Sequence, residues 1–297
     1  MRMKLEALAV IACLFSGAAW PQNALVLQSD FGTLDGAVAA MKGVAVGVSP
    51  EIRIYDLTHE VPAFNIWEAA LRLVQVAEYW PSGTVFVSVV DPGVGTNRKS
   101  IVLKTNSGHY FVTPDNGTLT FVVSRLGIAE VREIDEAVNR RKNSEKSYTF
   151  HGRDVYAFTG ARLASGIISF EQVGRLLPAQ VVTIPYQKAL YEDGVAYGNV
   201  QTHDGTFGNL WTNIDRATFG MLQLKFGDPV RVSISRGTEV VLELTVPFFP
   251  TFGEVGLGEP LLYLNSLDNV SLAINQGSFA GHYQIESGHE WSIQLRR

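Results

Sequence analysis

Apolar positions in residues 24–166 follow two alternating periods. Short apolar runs, such as ALVLQSD at 24–30 and TVFVSVVD at 84–91, have the length and β-branched content of buried strands. Between them, NIWEAALRLVQVAEYW at 65–80 places apolar residues every three or four positions, as an amphipathic helix does. This alternation of strands and helices predicts an α/β/α sandwich with a mostly parallel sheet.

The same patterns place the other elements of this half. Further strands are predicted at 51–58, 100–105, 110–115 and 130–135, and further helices at 35–48, 119–126 and 154–166. After about residue 185 the pattern changes to short strands separated by turns, without a helical period. We therefore expect two domains, an α/β domain at 20–184 and an all-β, barrel-like domain at 185–297.

The first nineteen residues have a composition of their own. A basic MRMK start precedes a thirteen-residue apolar stretch at 7–19, which is too short to span a bilayer comfortably and fits a signal peptide. Small residues at Gly17 and Ala19 predict cleavage after Ala19. A buried helix is one alternative, and a lipoprotein site at Cys13, after a shorter apolar run, is another. The expected product is periplasmic or secreted, with no stable membrane insertion after cleavage.

Composition and missing motifs exclude several classes of function. The net charge of −5 does not favour a nucleic-acid partner. Cleavage would remove Cys13, the only cysteine, and with it any disulfide, thiol nucleophile or cysteine metal site. The chain has no glycine-rich dinucleotide or phosphate loop and no His-x-x-x-His spacing. We expect neither a cofactor nor a metal.

One turn carries two opposite charges close together. In VDPGVGTNR at 90–98, a strand ends at Asp91, and Arg98 follows a turn that contains Gly93 and Gly95. The charges could hold one small polar group between them, or they could form a salt bridge that braces the turn. In parallel sheets the ligand crevice lies at the carboxyl ends of the strands, where Asp30 and Asp91 both fall.

Five further polar segments stand out, and each alone has a structural explanation. They are SDFGTLDG at 29–36, TPDNGTLT at 113–120, FHGRD at 150–154, HDGTFGNLWTNI at 203–214 and YLNS at 263–266. In this order, together with VDPGVGTNR, they resemble the S-adenosyl-L-methionine (SAM) hydrolase, or SAM hydroxide adenosyltransferase, family. That family also includes the fluorinase and chlorinase enzymes. The resemblance implies an α/β domain, a β-barrel, and a homotrimer whose ligand lies between the α/β domain of one subunit and the barrel of the next.

The resemblance also implies roles for individual residues. The water-activating trio falls on Asp91, Arg98 and His151. The positions matched to substrate contacts are Asp30 for the ribose hydroxyls, Asp35 and Asp204 for the methionine ammonium, Phe207, Asn209, Phe252 and Asn275 for adenine, Ser266 for the carboxylate, and Phe64 beside the sugar.

Several positions differ from the halogenating relatives. Those enzymes have tyrosine at the match of Asp91, serine at the match of Gly152 and tryptophan at the match of Phe64. The fluorinase has arginine where Leu267 follows Ser266, which leaves the recognition of the carboxylate open.

The residue types suit hydrolysis of SAM to adenosine and methionine. C5′ bears a sulfonium that leaves as neutral methionine, so the reaction needs an activated water more than a general acid. A carboxylate at position 91 would repel a halide ion. Two alternatives remain, a non-catalytic exported protein that binds adenosine-type ligands and a halide adenosyltransferase.

The leader gives a first testable prediction. Expressed in a bacterium with its own leader, the protein should be recovered outside the cytoplasm with an N-terminus near Trp20, as determined by N-terminal sequencing or intact mass. An uncleaved cytoplasmic product would reject export.

Overall fold

In the described part of the first half of the chain, from residue 23 to residue 177, there are seven strands and five helices. The computed structural model describes residues 23–297, so the predicted leader lies outside the described residues. The elements are β1 Leu25–Ser29, α1 Ala37–Val48, β2 Ile54–Thr58, α2 Ile66–Ala77, β3 Val85–Val89, β4 Ser100–Lys104, β5 Tyr110–Pro114, α3 Thr120–Leu126, β6 Glu130–Glu133, α4 Glu136–Asn139, a π-helical turn Gly152–Ala157, α5 Phe158–Ala164, a 3-10 turn Phe170–Val173 and β7 Leu176–Leu177.

The strands form one sheet in the order β2-β1-β3-β5-β4-β6-β7. Strands β2, β1, β3 and β5 are joined by parallel pairings, whereas β4 and β7 run in the opposite direction to their neighbours. Five of the seven strands therefore point the same way, which agrees with the predicted mostly parallel sheet.

Alternate residues of the sheet pack under helices on its two faces. Leu25 and Leu27 of β1 face α1 and α5, and all three elements belong to one buried cluster. Val26, between them, belongs to the cluster on the other face, with α2 and α3. This alternation follows from the period of two along a strand, and it buries both faces of the sheet.

The second half of the chain is antiparallel. Its elements are β8 Leu190–Glu192, β9 Val195–His203, β10 Leu210–Asp215, α6 Arg216–Gly220, β11 Pro229–Arg236, β12 Glu239–Pro247, a 3-10 turn Phe252–Glu254, β13 Pro260–Leu264, β14 Asn269–Ile274, α7 Phe279–Tyr283 and β15 Trp291–Arg296.

These strands curl into a nearly closed barrel in the order β12-β11-β15-β9-β10-β14-β13, with β8 beside β9. The two end strands of this order, β12 and β13, approach each other just after β12 ends. There the Phe249 N–H donates to the Leu262 carbonyl at 3.0 Å. Along its own nine residues, β12 is paired with β11 alone among the strands of the described residues. The apolar interior of the barrel forms a single buried cluster.

Helix α2 connects the barrel to the sheet. The Trp67 indole N–H donates to the Gln201 carbonyl at 2.7 Å, and the Thr202 hydroxyl donates to Glu68 at 2.9 Å. Residues 178–189, between β7 and β8, form neither helix nor strand. The proposed boundary between 184 and 185 lies in this segment and stays a prediction.

The strands and helices predicted by periodicity are all present, but short elements were missed. Helices α4, α6 and α7 have four or five residues, too few to show a period, and β15 at the C-terminus was not predicted. The helix expected at 154–166 begins two residues earlier, in the π-helical turn. Among residues 23–297, no helix has the length and apolar character needed to cross a membrane.

Candidate active site

The carboxyl ends of β1 and β3 lie side by side. Ser29, the last residue of β1, pairs with Val89, the last residue of β3, so the loops that begin with Asp30 and Val90 leave the sheet at one edge. Asn116, in the loop after β5, donates its side-chain amide to the Val90 carbonyl at 2.9 Å. The loops of three parallel strands therefore meet where such sheets bind ligands.

Asp91 and Arg98 form a bidentate ion pair at this edge. Arg98 Nε lies 2.9 Å from Asp91 Oδ1, and Arg98 Nη2 lies 2.6 Å from Asp91 Oδ2. The two side chains are only 5 % and 12 % exposed, respectively. The turn between them depends on Gly95, whose φ of +79° is costly for residues with a Cβ.

The third side of the Arg98 guanidinium is also occupied. Its Nη1 donates to Ser100 Oγ at 3.1 Å, and that hydroxyl lies 3.1 Å from the Tyr156 hydroxyl. The guanidinium carbon stands 5.6 Å from the centre of the Tyr156 ring. Burial by itself lowers the pKa of Arg98, but the hydrogen bonds to Asp91 outweigh it and raise that pKa. Arg98 is thus a fixed, permanent cation.

His151 stands next to this pair, just before the π-helical turn. Its Nε2 lies 2.9 Å from Arg140 Nη2, and the ring is buried. Burial lowers the pKa of His151, and the positive charges of Arg140 and Arg98 lower it further, against the opposing effects of Glu136 and Asp91. The imidazole is therefore neutral at pH 7.

Asp154 holds the segment that carries His151. Its carboxylate is fully buried and accepts from Arg141 Nε at 2.8 Å and from Arg153 Nη2 at 2.7 Å. Burial alone would raise the pKa of Asp154, yet the hydrogen bonds from Arg153 and Arg141 lower it to about 2. The backbone carbonyl of Asp154 accepts from the Arg141 backbone N–H at 2.8 Å. Two hydrogen bonds from Arg141 therefore join the loop before the π-helical turn to that turn.

Gly152, next to His151, is in close contact with the sheet. A Cβ at this position would lie 2.8 Å from Val89 Cγ1 and 3.2 Å from the Phe31 ring. Even a side chain as small as that of serine would push the π-helical turn away from β3. Glycine therefore sets how closely His151 approaches the loop of Asp91.

Asp30 and Phe64 meet at the same edge. Asp30 Oδ2 accepts from the Phe64 backbone N–H at 2.8 Å. Phe64 has a φ of +66°, which is rare for a bulky residue, and the residue is 71 % exposed. Asp35 is exposed in the loop before α1 and accepts from the Ala37 N–H at 2.8 Å.

A second group of predicted residues gathers on the barrel. Asp204 accepts from the Phe207 N–H at 2.7 Å and from the Asn209 side-chain amide at 2.8 Å, which closes the turn between β9 and β10. Burial raises the pKa of nearby Tyr263 to about 12, against a hydrogen bond with Ser271, and the charge of Asp204 adds to the increase. Phe252 packs against Tyr263, with ring centroids 5.0 Å apart.

Asn275 and Ser266 lie at opposite ends of β14. Asn275 follows the strand and donates to the Val255 carbonyl at 2.8 Å, close to Phe252. Ser266 is exposed in the turn between β13 and β14. It lines a cleft of about 570 Å³ between the barrel and helices α2 and α3 of the same chain. The structure does not bring Ser266 to the other barrel residues.

The predicted residues therefore fall into two groups. Asp30, Phe64, Asp91, Arg98 and His151 lie on the α/β half, and Asp204, Phe207, Asn209, Phe252 and Asn275 lie on the barrel. Within residues 23–297, no hydrogen bond joins the first group to the second. Asp35 and Ser266 stand apart from both.

Sequence reasoning missed four residues that shape the site. Three of them accompany predicted residues: Ser100 and Tyr156 contact Arg98, and Asp154 belongs to the FHGRD segment. For Asp154, the sequence did not show that the carboxylate is buried. Arg140 lies in a segment without any period or motif, and no sequence signal pointed to it. In the described part of the chain, no three His, Asp or Glu side chains converge in a way that could hold a metal ion.

Two domain matches account for most of the chain. Residues 25–174 match the SAM hydroxide adenosyltransferase N-terminal domain, and residues 198–292 match the corresponding C-terminal domain.

The chain is also similar to individual proteins over most of its length. It is 37 % identical to an (R)-S-adenosyl-L-methionine hydrolase of Methanocaldococcus jannaschii, over 74 % of this chain and 77 % of that protein. It is 28 % identical to a fluorinase of Actinoplanes sp., over 89 % of this chain and 95 % of that enzyme. A crystal structure of an uncharacterized conserved protein from Thermotoga maritima superposes with a TM-score of 0.84 at 36 % identity, covering 92 % of this chain and all of that one.

The buried carboxylate of Asp154 predicts a dependence of stability on pH. Its pKa falls from 3.8 to about 2 on folding, so it stabilises the fold above pH 4, and this contribution is lost as pH falls through 2. Asp154→Asn should lower the free energy of unfolding at pH 7 by about 2 kcal/mol. The difference from the natural protein should shrink between pH 4 and pH 2 in urea unfolding experiments.

Asp193→Asn provides the matched control, because Asp193 is exposed at a turn and has a positive φ that asparagine also adopts. That variant should unfold like the natural protein at every pH. A loss of stability in Asp154→Asn that did not change with pH would contradict the electrostatic role of Asp154.

Proposed function

Because the chain belongs to the SAM hydroxide adenosyltransferase family, we propose that it hydrolyses S-adenosyl-L-methionine to adenosine and L-methionine. The two domain matches confirm the family that the motifs predict. In the reaction, a bond forms between a water oxygen and C5′, and the C5′–S bond breaks with its electron pair on sulfur. The proton of the water passes to Asp91 and then to solvent. The protein needs no cofactor for this step.

The observation that carries the proposal is the bidentate ion pair of Asp91 and Arg98. Because Arg98 gives two N–H groups to Asp91 and a third to Ser100, no uncompensated positive charge remains to attract a halide ion. A halide in contact with the Asp91 carboxylate would be repelled by about 1–4 kcal/mol. Water meets no such penalty, since it can donate a hydrogen bond to the carboxylate.

Charge neutralisation favours this chemistry in a buried pocket. The developing hydroxide is negative and the sulfonium is positive, so the transition state carries less separated charge than the reactants. The burial of Asp91, Arg98 and His151 places them where water is scarce and electrostatic interactions are strong. Asp30, at the adjacent strand end, is positioned to accept from the ribose hydroxyls, which would align C5′ with the water.

The proposal further includes a homotrimer with a shared site and action outside the cytoplasm. Phe64, Phe207 and Phe252, which correspond to sugar and adenine contacts, are 71 %, 67 % and 42 % exposed in the single chain. A site shared between two subunits needs exposed apolar groups on both contributing surfaces. These rings are exposed and lie on two separate groups of residues, as such a site requires. In the trimer, the α/β group of one subunit faces the barrel group of the next.

Product analysis tests the reaction. The purified mature protein, incubated with SAM in ¹⁸O-labelled water, should release adenosine that carries the label at O5′ and methionine that carries none. Added chloride or fluoride should give no 5′-halogenated adenosine. Binding of SAM without turnover would show a non-catalytic binding protein, and a halogenated product would show a halide adenosyltransferase; either result would overturn the proposal.

Asp91→Asn tests the role of the carboxylate. Because Asp91 contacts the nucleophile, kcat should fall on the order of 10²- to 10⁴-fold while KM changes little. Asp193→Asn, at an exposed turn, should behave like the natural enzyme. If kcat is retained and KM rises instead, Asp91 is a substrate ligand and the assignment is wrong.

Mixing two inactive variants tests the shared site. Asp91→Asn inactivates the part of the site on the α/β domain, and Asn209→Ala damages the part on the barrel. In a one-to-one mixture refolded together, about a quarter of the interface sites would combine two intact halves and regain activity. Light scattering should show a trimer. No regain of activity in mixed trimers, or a fully active monomer, would place the whole site within one subunit.

A further inference from the structure

The contact between Arg140 and His151 restricts where the imidazole can carry its proton. Arg140 Nη2 lies 2.9 Å from His151 Nε2. A guanidinium has only N–H donors and does not lose its proton in proteins, so Nε2 must be the acceptor. A neutral imidazole has one lone pair available in the ring plane, and Arg140 occupies it. The ring proton therefore resides on Nδ1.

Arg140 is itself held in place. Its Nε donates to Glu136 Oε2 at 3.0 Å, and its Nη1 lies 3.3 Å from the carbonyls of Ser144 and Ser147. The Arg140 side chain is only 12 % exposed, and Glu136 precedes it by one turn of α4. With these contacts on three of its nitrogens, Arg140 cannot turn away from His151 without leaving several polar groups unpaired.

The other ring nitrogen is left for a ligand. His151 Nδ1 is buried and has no hydrogen-bond partner among the described residues. Buried polar groups without partners are rare, and they are found where a protein binds a small polar molecule. Four charged groups act on this ring. Glu136 lies in α4 and Arg140 directly follows it, whereas Asp91 and Arg98 belong to the turn after β3.

We propose that Arg140 is a positioning residue that fixes His151 as the neutral Nδ1–H tautomer, so that His151 donates a hydrogen bond to the attacking oxygen and does not accept its proton. The acceptor of that proton is then Asp91. The tautomer is a property of the free protein, whereas the role in attack rests on the proposed hydrolysis.

Nitrogen NMR of the free protein tests the tautomer directly. In ¹⁵N-histidine-labelled protein, the His151 signal is assigned by its loss in His151→Gln. At pH 7 the natural protein should show a protonated Nδ1 and an unprotonated Nε2. Arg140→Met, which keeps the length of the side chain but has no donor, should move the proton largely to Nε2 and raise the pKa of His151. Arg140→Lys, which keeps a donor, should retain the natural tautomer.

Two results would overturn the proposal. One is an Nε2–H tautomer in the natural protein, a measurement that does not depend on whether any Arg140 variant folds. The other is an unchanged tautomer in a folded Arg140→Met variant, which would show that Arg140 does not set it.

Kinetic measurements on the same variants test the role of His151 in the attack. Arg140→Met should lower kcat about tenfold or more with little change in KM, because its Nε2–H tautomer offers no proton at Nδ1 to the attacking oxygen. The deficit should shrink at acidic pH, where the protonated imidazole again carries a proton on Nδ1. Arg140→Lys should restore most of the rate. A deficit that is the same at every pH would contradict the role of the tautomer. If the natural protein does not hydrolyse SAM, the proposed function fails while the NMR result on the tautomer still stands.

Discussion

The ion pair between Asp91 and Arg98 is the constraint around which the site is built. Both charges are nearly buried, and an unpaired charge in such a place would cost several kcal/mol. The surroundings keep the pair together: the turn that links the two residues is short, Ser100 accepts a third N–H of Arg98, and the Tyr156 ring lies over the guanidinium. The same ion pair can brace the turn and still bind a small polar molecule, because a carboxylate can accept more hydrogen bonds than one guanidinium supplies.

The helical side of the site is fixed by a second set of charges. Asp154, in the π-helical turn, ties that turn to the preceding loop through Arg141, and Gly152 lets the turn lie against β3. π-Helical turns are rare and are found frequently at functional sites. Here the turn directly follows His151, so its position determines how the ring faces the Asp91–Arg98 pair.

Much of this arrangement could be predicted from sequence, for reasons specific to each residue. Asp30 and Asp91 follow strands whose apolar runs are clear, and parallel strands bring their carboxyl ends together. The pairing of Asp91 with Arg98 follows from their spacing across a glycine turn. Arg140 could not be found, because no local pattern indicates which ring nitrogen of a histidine an irregular loop will reach. The family resemblance grouped Ser266 with the other substrate residues, but the length of β14 separates it from Asn275 within one barrel.

The incomplete closure of the barrel has a consequence for association between chains. Because β12 pairs only with β11 among residues 23–297, the first part of β12 presents backbone groups unpaired within that range, together with the exposed side chains of Val240 and Val241. Such an edge is a template for strand addition and aggregation. Glu239 and Glu243 place carboxylates along this edge, and the irregular register between Ile234 and Ser235 of β11 interrupts the flat ladder behind it. The strand thus carries charged residues that discourage edge-to-edge pairing between chains.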